Sequence, residues 1–163
     1  MKKNNVKIKI GLDFHGVITD NPEYFHRFTE LAKKKDWEIY VITGGPYAVI
    51  VKFLKTWGIK YHKLFTILDF YDAQGKVTFF ENGNFHIDDD LWDKAKGVFC
   101  SENKIDFHID DSRIYGKYYT TPYCLYDKNK GACEIEGVKI DLSHSPETAL
   151  LEIENYINKK SSR

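Results

Sequence analysis

The stretch Ile10-Gly11-Leu12-Asp13-Phe14-His15-Gly16-Val17-Ile18-Thr19-Asp20 decides how the whole chain reads. Just upstream, Val6, Ile8 and Ile10 alternate with lysines, the period of a strand entering a core. The apolar run stops at Asp13, and Gly16 marks a turn. Asn21-Pro22 then opens a helix, with Asn as N-cap and Pro at the first helical position. Phe25, Phe28, Leu31 and Ala32 give that helix an apolar stripe, and Lys33-Lys34-Lys35 suit its C-terminal end. Residues 37–42 are a near-continuous apolar run, as expected of a parallel strand buried on both faces.

The alternation continues outward from this unit. After Thr43-Gly44-Gly45, Pro46 starts a second helix striped by Ile50, Phe53, Leu54 and Trp57 and closed by Gly58. Residues 65–68 read as the next strand. Residues 77–81 and 84–87 flank Asn82-Gly83, a strong hairpin signal, so that a hairpin insertion is expected at about 76–87. Asp88-Asp89-Asp90 cap a helix over about 91–103, and residues 105–109 form another short apolar strand before Asp110-Asp111-Ser112. Residues 118–126 look strand-like, with Pro122 pointing to an edge or an irregular stretch. A second hairpin over 133–140 precedes a last helix capped by Ser145-Pro146 and striped by Leu150, Ile153 and Ile157. Strands alternating with helices imply an α/β fold: a Rossmann-like three-layer sandwich with a mostly parallel sheet. With no shift of composition along 1–163, one domain without a separate cap is expected.

Composition narrows the function classes. The chain has 163 residues, 42% hydrophobic and 29% charged, ordinary for a globular domain. Its 24 lysines and arginines balance 24 acidic residues, so charge gives no indication of nucleic-acid binding. The start, Met1-Lys2-Lys3-Asn4-Asn5-Val6-Lys7-Ile8-Lys9-Ile10, is positive like a signal peptide but lacks its continuous apolar stretch. No run approaches the roughly 20 apolar residues that span a bilayer, so no membrane partner is expected. Cys100, Cys124 and Cys133 include no Cys-x-x-Cys pair and read as reduced thiols, in keeping with a cytoplasmic protein.

Ligands of open parallel sheets bind beyond the carboxyl ends of the strands. The polar residues at those ends are Asp13, Thr43, Asp69, Asp110 and Asp111. Carboxylates gathered at one edge repel one another unless a cation joins them, and hard oxygen donors suit Mg²⁺. A metal, a hydroxyl and a lysine beside a nucleophilic carboxylate point to phosphate chemistry.

These residues resemble the haloacid dehalogenase superfamily. The stretch 10–20 is similar to that group's first motif, a strand ending in Asp-x-Asp-x-(Thr/Val). Val41-Ile42-Thr43-Gly44-Gly45 resembles the second, and Ile105-Asp106-Phe107-His108-Ile109-Asp110-Asp111-Ser112 the fourth. The third, a lysine on the preceding helix, falls on Lys96, with Lys94 as the fallback. The resemblance implies a Mg²⁺-dependent phosphomonoesterase working through an aspartyl-phosphate. Asp13 would be the nucleophile, and Thr43, Gly44 and Lys96 would bind the phosphoryl group. Asp13, Asp110, Asp111 and the His15 carbonyl would hold the metal. One position departs from the pattern: His15 stands where most members carry the acid/base aspartate. An imidazole titrates near neutrality and can serve there, though anionic surroundings suit it better to protonating a leaving oxygen than to activating water. A very slow enzyme, or a non-catalytic phosphate- and metal-binding module, is therefore the alternative.

Blander readings compete at several positions. Asp88-Asp89-Asp90 nearly repeats the strand-end acids of 107–112, but helix capping explains it. His26, His62, His86 and His108 have no metal-ligand spacing and read as structural. His144, between Ser143 and Ser145, precedes a helix, and no Gly-x-Ser-x-Gly turn supports a nucleophile there. Neither 17–36 nor 45–90 has room for a full cap domain. The site is expected to be open to a phosphorylated substrate, small or carried on a larger molecule. Alternatively the hairpin at 77–87, or a second copy in a homo-oligomer, closes it.

Overall fold

The computed structural model of the chain describes residues 6–163; the reading of residues 1–5 against a signal peptide lies outside the described residues. The first strand, β1 (Lys9–Leu12), leads through a turn and a short 3₁₀ segment into α1 (Pro22–Lys34). Asn21 caps that helix as its sequence suggests, its Oδ1 accepting from Tyr24 N–H at 3.1 Å. There follow β2 (Glu38–Thr43), α2 (Tyr47–Thr56), β3 (Lys63–Thr66) and α3 (Ile67–Asp72). A small hairpin, β4 (Thr78–Phe79) and β5 (Phe85–His86), precedes α4 (Asp89–Glu102) and β6 (Phe107–Asp110). The chain ends with β7 (Tyr123–Asp127), β8 (Ala132–Ile135), β9 (Val138–Asp141) and α5 (Pro146–Ser161).

Seven strands form one sheet in the order β3-β2-β1-β6-β7-β8-β9. The first five in that order are parallel, and β8 and β9 add antiparallel at one side. Side chains of β2 alternate across the sheet. Ile39 and Val41 join a core shared with α1, α2 and α5, while Tyr40 and Ile42 join one shared with α3 and α4. Helices thus cover both faces, and the architecture is the Rossmann-like three-layer α/β sandwich expected. The chain reverses its direction of travel across the sheet at β1, the point where open α/β sheets bind their ligands. Among the described residues, no helix is long and apolar enough to cross a membrane.

The structure corrects four local expectations. The run 65–68 is split: β3 ends at Thr66 and Ile67 begins a helix, because a short apolar run carries no periodicity that separates strand from buried helix. The strand expected over 118–126 begins only at Tyr123, after a 3₁₀ turn over Tyr115–Tyr118. It lies inside the sheet rather than at its edge, and the carbonyl of Pro122 accepts from His108 N–H at 2.9 Å. Asn82-Gly83 does mark a hairpin, but the loop spans 81–83, Phe80 N–H bonding Asn84 O at 2.8 Å, with Gly83 at φ +83°. Finally, Cys124 and Cys133 form a disulfide between β7 and β8 and only Cys100 is free. Strand pairing brings the two together across nine residues of sequence, a closeness their spacing does not announce. The free-thiol argument for a reducing compartment therefore no longer holds.

Candidate active site

Parallel pairing of β1 and β6 puts the ends of both strands side by side, and Asp13 N–H extends the ladder by bonding Ile109 O at 2.9 Å. Asp13 follows the last residue of β1, and Asp110 is the last of β6. Between them stands Lys96 of α4. Its Nζ lies 3.0 Å from Asp13 Oδ1 and 2.7 Å from Asp110 Oδ2, and all three side chains are buried. Asp111, exposed, completes a set of three carboxylates whose oxygens lie within 4.8 Å of one another.

Local sequence explains how each group is held. Asp13 Oδ1 accepts from Phe14 N–H at 2.8 Å, and Asp110 Oδ1 from Ser112 N–H at 3.0 Å, so backbone turns orient both carboxylates. His108, on the same strand as Asp110, places its Nε2 3.1 Å from Asp110 Oδ2. Opposite His108 on β1 is Gly11, where a Cβ would come within 2.4 Å of the imidazole Nδ1; the site's buried histidine needs a glycine beside it. Lys96 is reached because it lies on the buried stripe of α4 with Phe99 and Cys100, and its ammonium rests 5.3 Å from the centre of the Tyr115 ring.

The charges are unequal in consequence. Burial pushes the Asp13 carboxyl up to about 7, against the pull of Lys96. Burial also disfavours the Asp110 charge, but the His108 hydrogen bond and the Lys96 ammonium hold that group below the usual carboxylate range. Burial opposes the Lys96 charge too, and its two carboxylate neighbours overcome this and hold it protonated. Complete burial pushes His108 below its ordinary value. A divalent cation among the three carboxylates would favour the ionised form of Asp13. The all-oxygen donor set fits a hard cation of the Mg²⁺ or Ca²⁺ kind.

Thr43 ends β2, beside β1, fully buried, and its Oγ1 has no hydrogen-bond partner among the described residues. A buried hydroxyl without a partner costs about 1–3 kcal/mol, and the Tyr24 and Tyr119 hydroxyls share this state. Gly44 follows, half-buried under the Trp92 ring. Asp69 belongs to α3 rather than to a strand end, and its Oδ2 accepts from Tyr47 N–H and Thr66 Oγ1, both at 2.7 Å, bracing the loop after Thr43.

Other positions fall outside the cluster. Lys94 is exposed and pairs with Asp90 at 2.8 Å. His15 is exposed, its ring edge-on to Phe14 at 5.0 Å, with no hydrogen bond from the ring among the described residues. Asp88 caps α4 through Asp90 N–H and Leu91 N–H, and Ser145 caps α5. Sequence reasoning took His108 as merely structural and did not single out Trp92 or Tyr115. The Trp92 indole donates to the Tyr115 hydroxyl at 2.9 Å, and Phe85 of the hairpin stands 5.8 Å from the Trp92 ring, which ties the hairpin to the site. Comparison with protein families, curated proteins and solved structures finds no match for this chain.

Proposed function

We propose that this chain is a divalent-metal-dependent phosphomonoesterase that passes its substrate's phosphoryl group through Asp13. The observation that carries this reading is the buried Asp13–Lys96–Asp110 cluster, with the unpartnered Thr43 hydroxyl ending the adjacent strand. Asp13, Asp110, Asp111 and the His15 carbonyl would hold Mg²⁺, which when bound neutralises phosphate charge and helps orient the ester.

Within this reading Asp13 forms a bond from a carboxylate oxygen to phosphorus as the ester P–O bond breaks. His15 gives its proton to the departing alkoxide. Water then attacks the aspartyl-phosphate, its proton passing to His15, and inorganic phosphate leaves with Asp13 regenerated. Lys96 stabilises the charge that builds on the transferring oxygens, and Thr43 and the Gly44 backbone donate to them. Among the described residues no hydrogen bond holds the exposed His15 ring, which favours a slow second step.

The test is Mg²⁺-dependent phosphate release from a panel of phosphomonoesters by the wild type and by Asp13→Asn and His15→Asp. The expected result is turnover that falls at least about 10³-fold in Asp13→Asn and is kept or raised in His15→Asp. If no ester is hydrolysed while Mg²⁺ and phosphate still raise the melting temperature, the chain is a binding module and the catalytic reading falls.

A further inference from the structure

We propose that the groove beside Asp111 is a subsite for a second anionic group, so that the substrate is a small phosphomonoester whose leaving group carries another phosphate or a carboxylate. The proposal rests on the phosphomonoesterase reading for its direction and adds the substrate class. A cavity of about 570 Å³ opens at one end on Gly16 and Asp111, the mouth of the carboxylate cluster, and runs along β7, β8 and the turn joining them. That volume matches pockets that hold small ligands. Its floor is rigid: Ala132 and Cys133 are buried, and the Cys124–Cys133 disulfide fastens β7 to β8.

The walls carry more cations than carboxylates. Arg113, Lys128, Lys130 and Lys139 line the groove against Asp127 and Glu134, once Asp111 is assigned to the metal. Lys139 stands directly opposite Glu134 in the β8–β9 register, and Asp127 turns its Oδ1 to Asn129 N–H at 2.9 Å. Asp127 keeps its charge, so apart from Asp111 the groove holds four cations against two carboxylates, and none of Arg113, Lys128 and Lys130 forms an ion pair among the described residues. An excess of two cations around a concave surface leaves a local positive field beside Asp111 and Gly16, on the side where the leaving group of an ester bound at Asp13 would be received. The chain as a whole is neutral, so this excess is local rather than a general basicity. The antiparallel strands β8 and β9 would thus take over the choice of substrate that a cap would otherwise make.

The experiment compares kcat/KM for glycerol 3-phosphate, 3-phosphoglycerate and 2,3-bisphosphoglycerate with Mg²⁺ at low salt. Wild type is expected to prefer one of the doubly anionic esters by about tenfold or more; a gain already present with 3-phosphoglycerate assigns the subsite to carboxylates, one confined to the bisphosphate assigns it to phosphate. In the variant carrying Arg113→Gln, Lys128→Gln and Lys130→Gln the preference should collapse to about one, and 200 mM salt should weaken it in wild type. A wild type with no preference, or a preference that survives in the variant, overturns the proposal. If no ester is turned over, calorimetry decides the subsite independently. Binding of 2,3-bisphosphoglycerate about tenfold tighter than inorganic phosphate, lost in the variant, upholds it while the catalytic reading fails; equal affinities overturn it.

Discussion

Lys96 Nζ sits 3.0 Å from Asp13 Oδ1 although the two residues come from α4 and the end of β1, and 5% and 7% of their side chains are exposed. Such a pair offers little net stability, since desolvation cancels much of the attraction. What it provides is a cation at the edge of a carboxylate cluster, in register with Asp110 on the other side.

Removing only the cation should therefore be costly. Lys96→Met leaves Asp13 and Asp110 buried without their counter-charge, a loss of about 3–5 kcal/mol and a Tm drop on the order of 10 °C. Mg²⁺ should restore more of the Tm in Lys96→Met than it adds to wild type, because it replaces the missing charge. Lys94→Met, on the exposed side of the same helix, should shift Tm by a degree or so at most. Thermal melts of the two variants with and without Mg²⁺ check this, and equal behaviour of the two would sink it.

Thr43→Val separates ligand binding from stability. Val replaces a buried hydroxyl that has no partner among the described residues, so Tm should stay level or rise, by up to about 1 kcal/mol of stability. Affinity for phosphate should nevertheless fall about tenfold through the lost donor, as read from product inhibition or from KM. A marked loss of Tm would mean that the hydroxyl supports the fold instead.

The placement of Asp13, Thr43, Asp110 and Asp111 was legible because strand ends are local features: an apolar run stops and a polar residue follows. The choice between Lys96 and Lys94 also had a signal. Lys96 lies four residues after Trp92 and three before Phe99, on the apolar stripe of α4, whereas Lys94 lies off it. His108 could not be found this way, since its role depends on Gly11 across the sheet and on Asp110 along the strand. The Cys124–Cys133 bond and the groove at β7–β8 are likewise products of strand pairing, which no local pattern encodes. The six-residue α3 was lost for a different reason, being too short for its period to show.

Gly16 gives a test of whether the carboxylate cluster binds a metal. Its φ is +82°, and a Cβ there would lie 2.0 Å from Asp111 Oδ2. Gly16→Ala should cost about 1–2 kcal/mol in backbone strain and displace Asp111, lowering Mg²⁺ affinity about tenfold. Gly75 has a similar φ of +68° with nothing within 4 Å of a Cβ. Gly75→Ala should share the backbone cost and leave Mg²⁺ affinity unchanged, as calorimetric titration of both variants would show. Equal Mg²⁺ affinity in both variants would argue against Asp111 as a ligand.

The contact between α1 and α5 should be sensitive to acid. The Arg27 guanidinium, with help from the Glu147 backbone and Ser145 Oγ, pulls the Glu147 carboxyl down to about 2. A carboxyl depressed in the folded state stabilises it above the unfolded value of about 4.5 and loses that effect as pH falls toward 2. Both side chains are about half exposed, so the effect is small. Arg27→Gln should melt about a degree or two below wild type from pH 7 to 5, and the gap should close toward pH 3. A gap that stays constant to pH 3 would assign the difference to packing of the arginine stem.

Asp69 should act on catalysis through the loop that follows Thr43. Its Oδ2 takes hydrogen bonds from Tyr47 N–H and Thr66 Oγ1, and Leu68 N–H bonds Gly44 O at 2.9 Å, so α3 grips the loop at both ends. Asp69→Ala removes the acceptor and frees Gly44 and Gly45 to move, which should raise KM several-fold while kcat falls less, because Asp13 and Lys96 are untouched. Asp69→Asn keeps a carbonyl oxygen that can accept from Tyr47 and should recover most of the loss. Rescue by Asn is the outcome that distinguishes positioning from charge: if Asn and Ala are equally impaired, the negative charge of Asp69 is what matters, and the loop-bracing account is wrong.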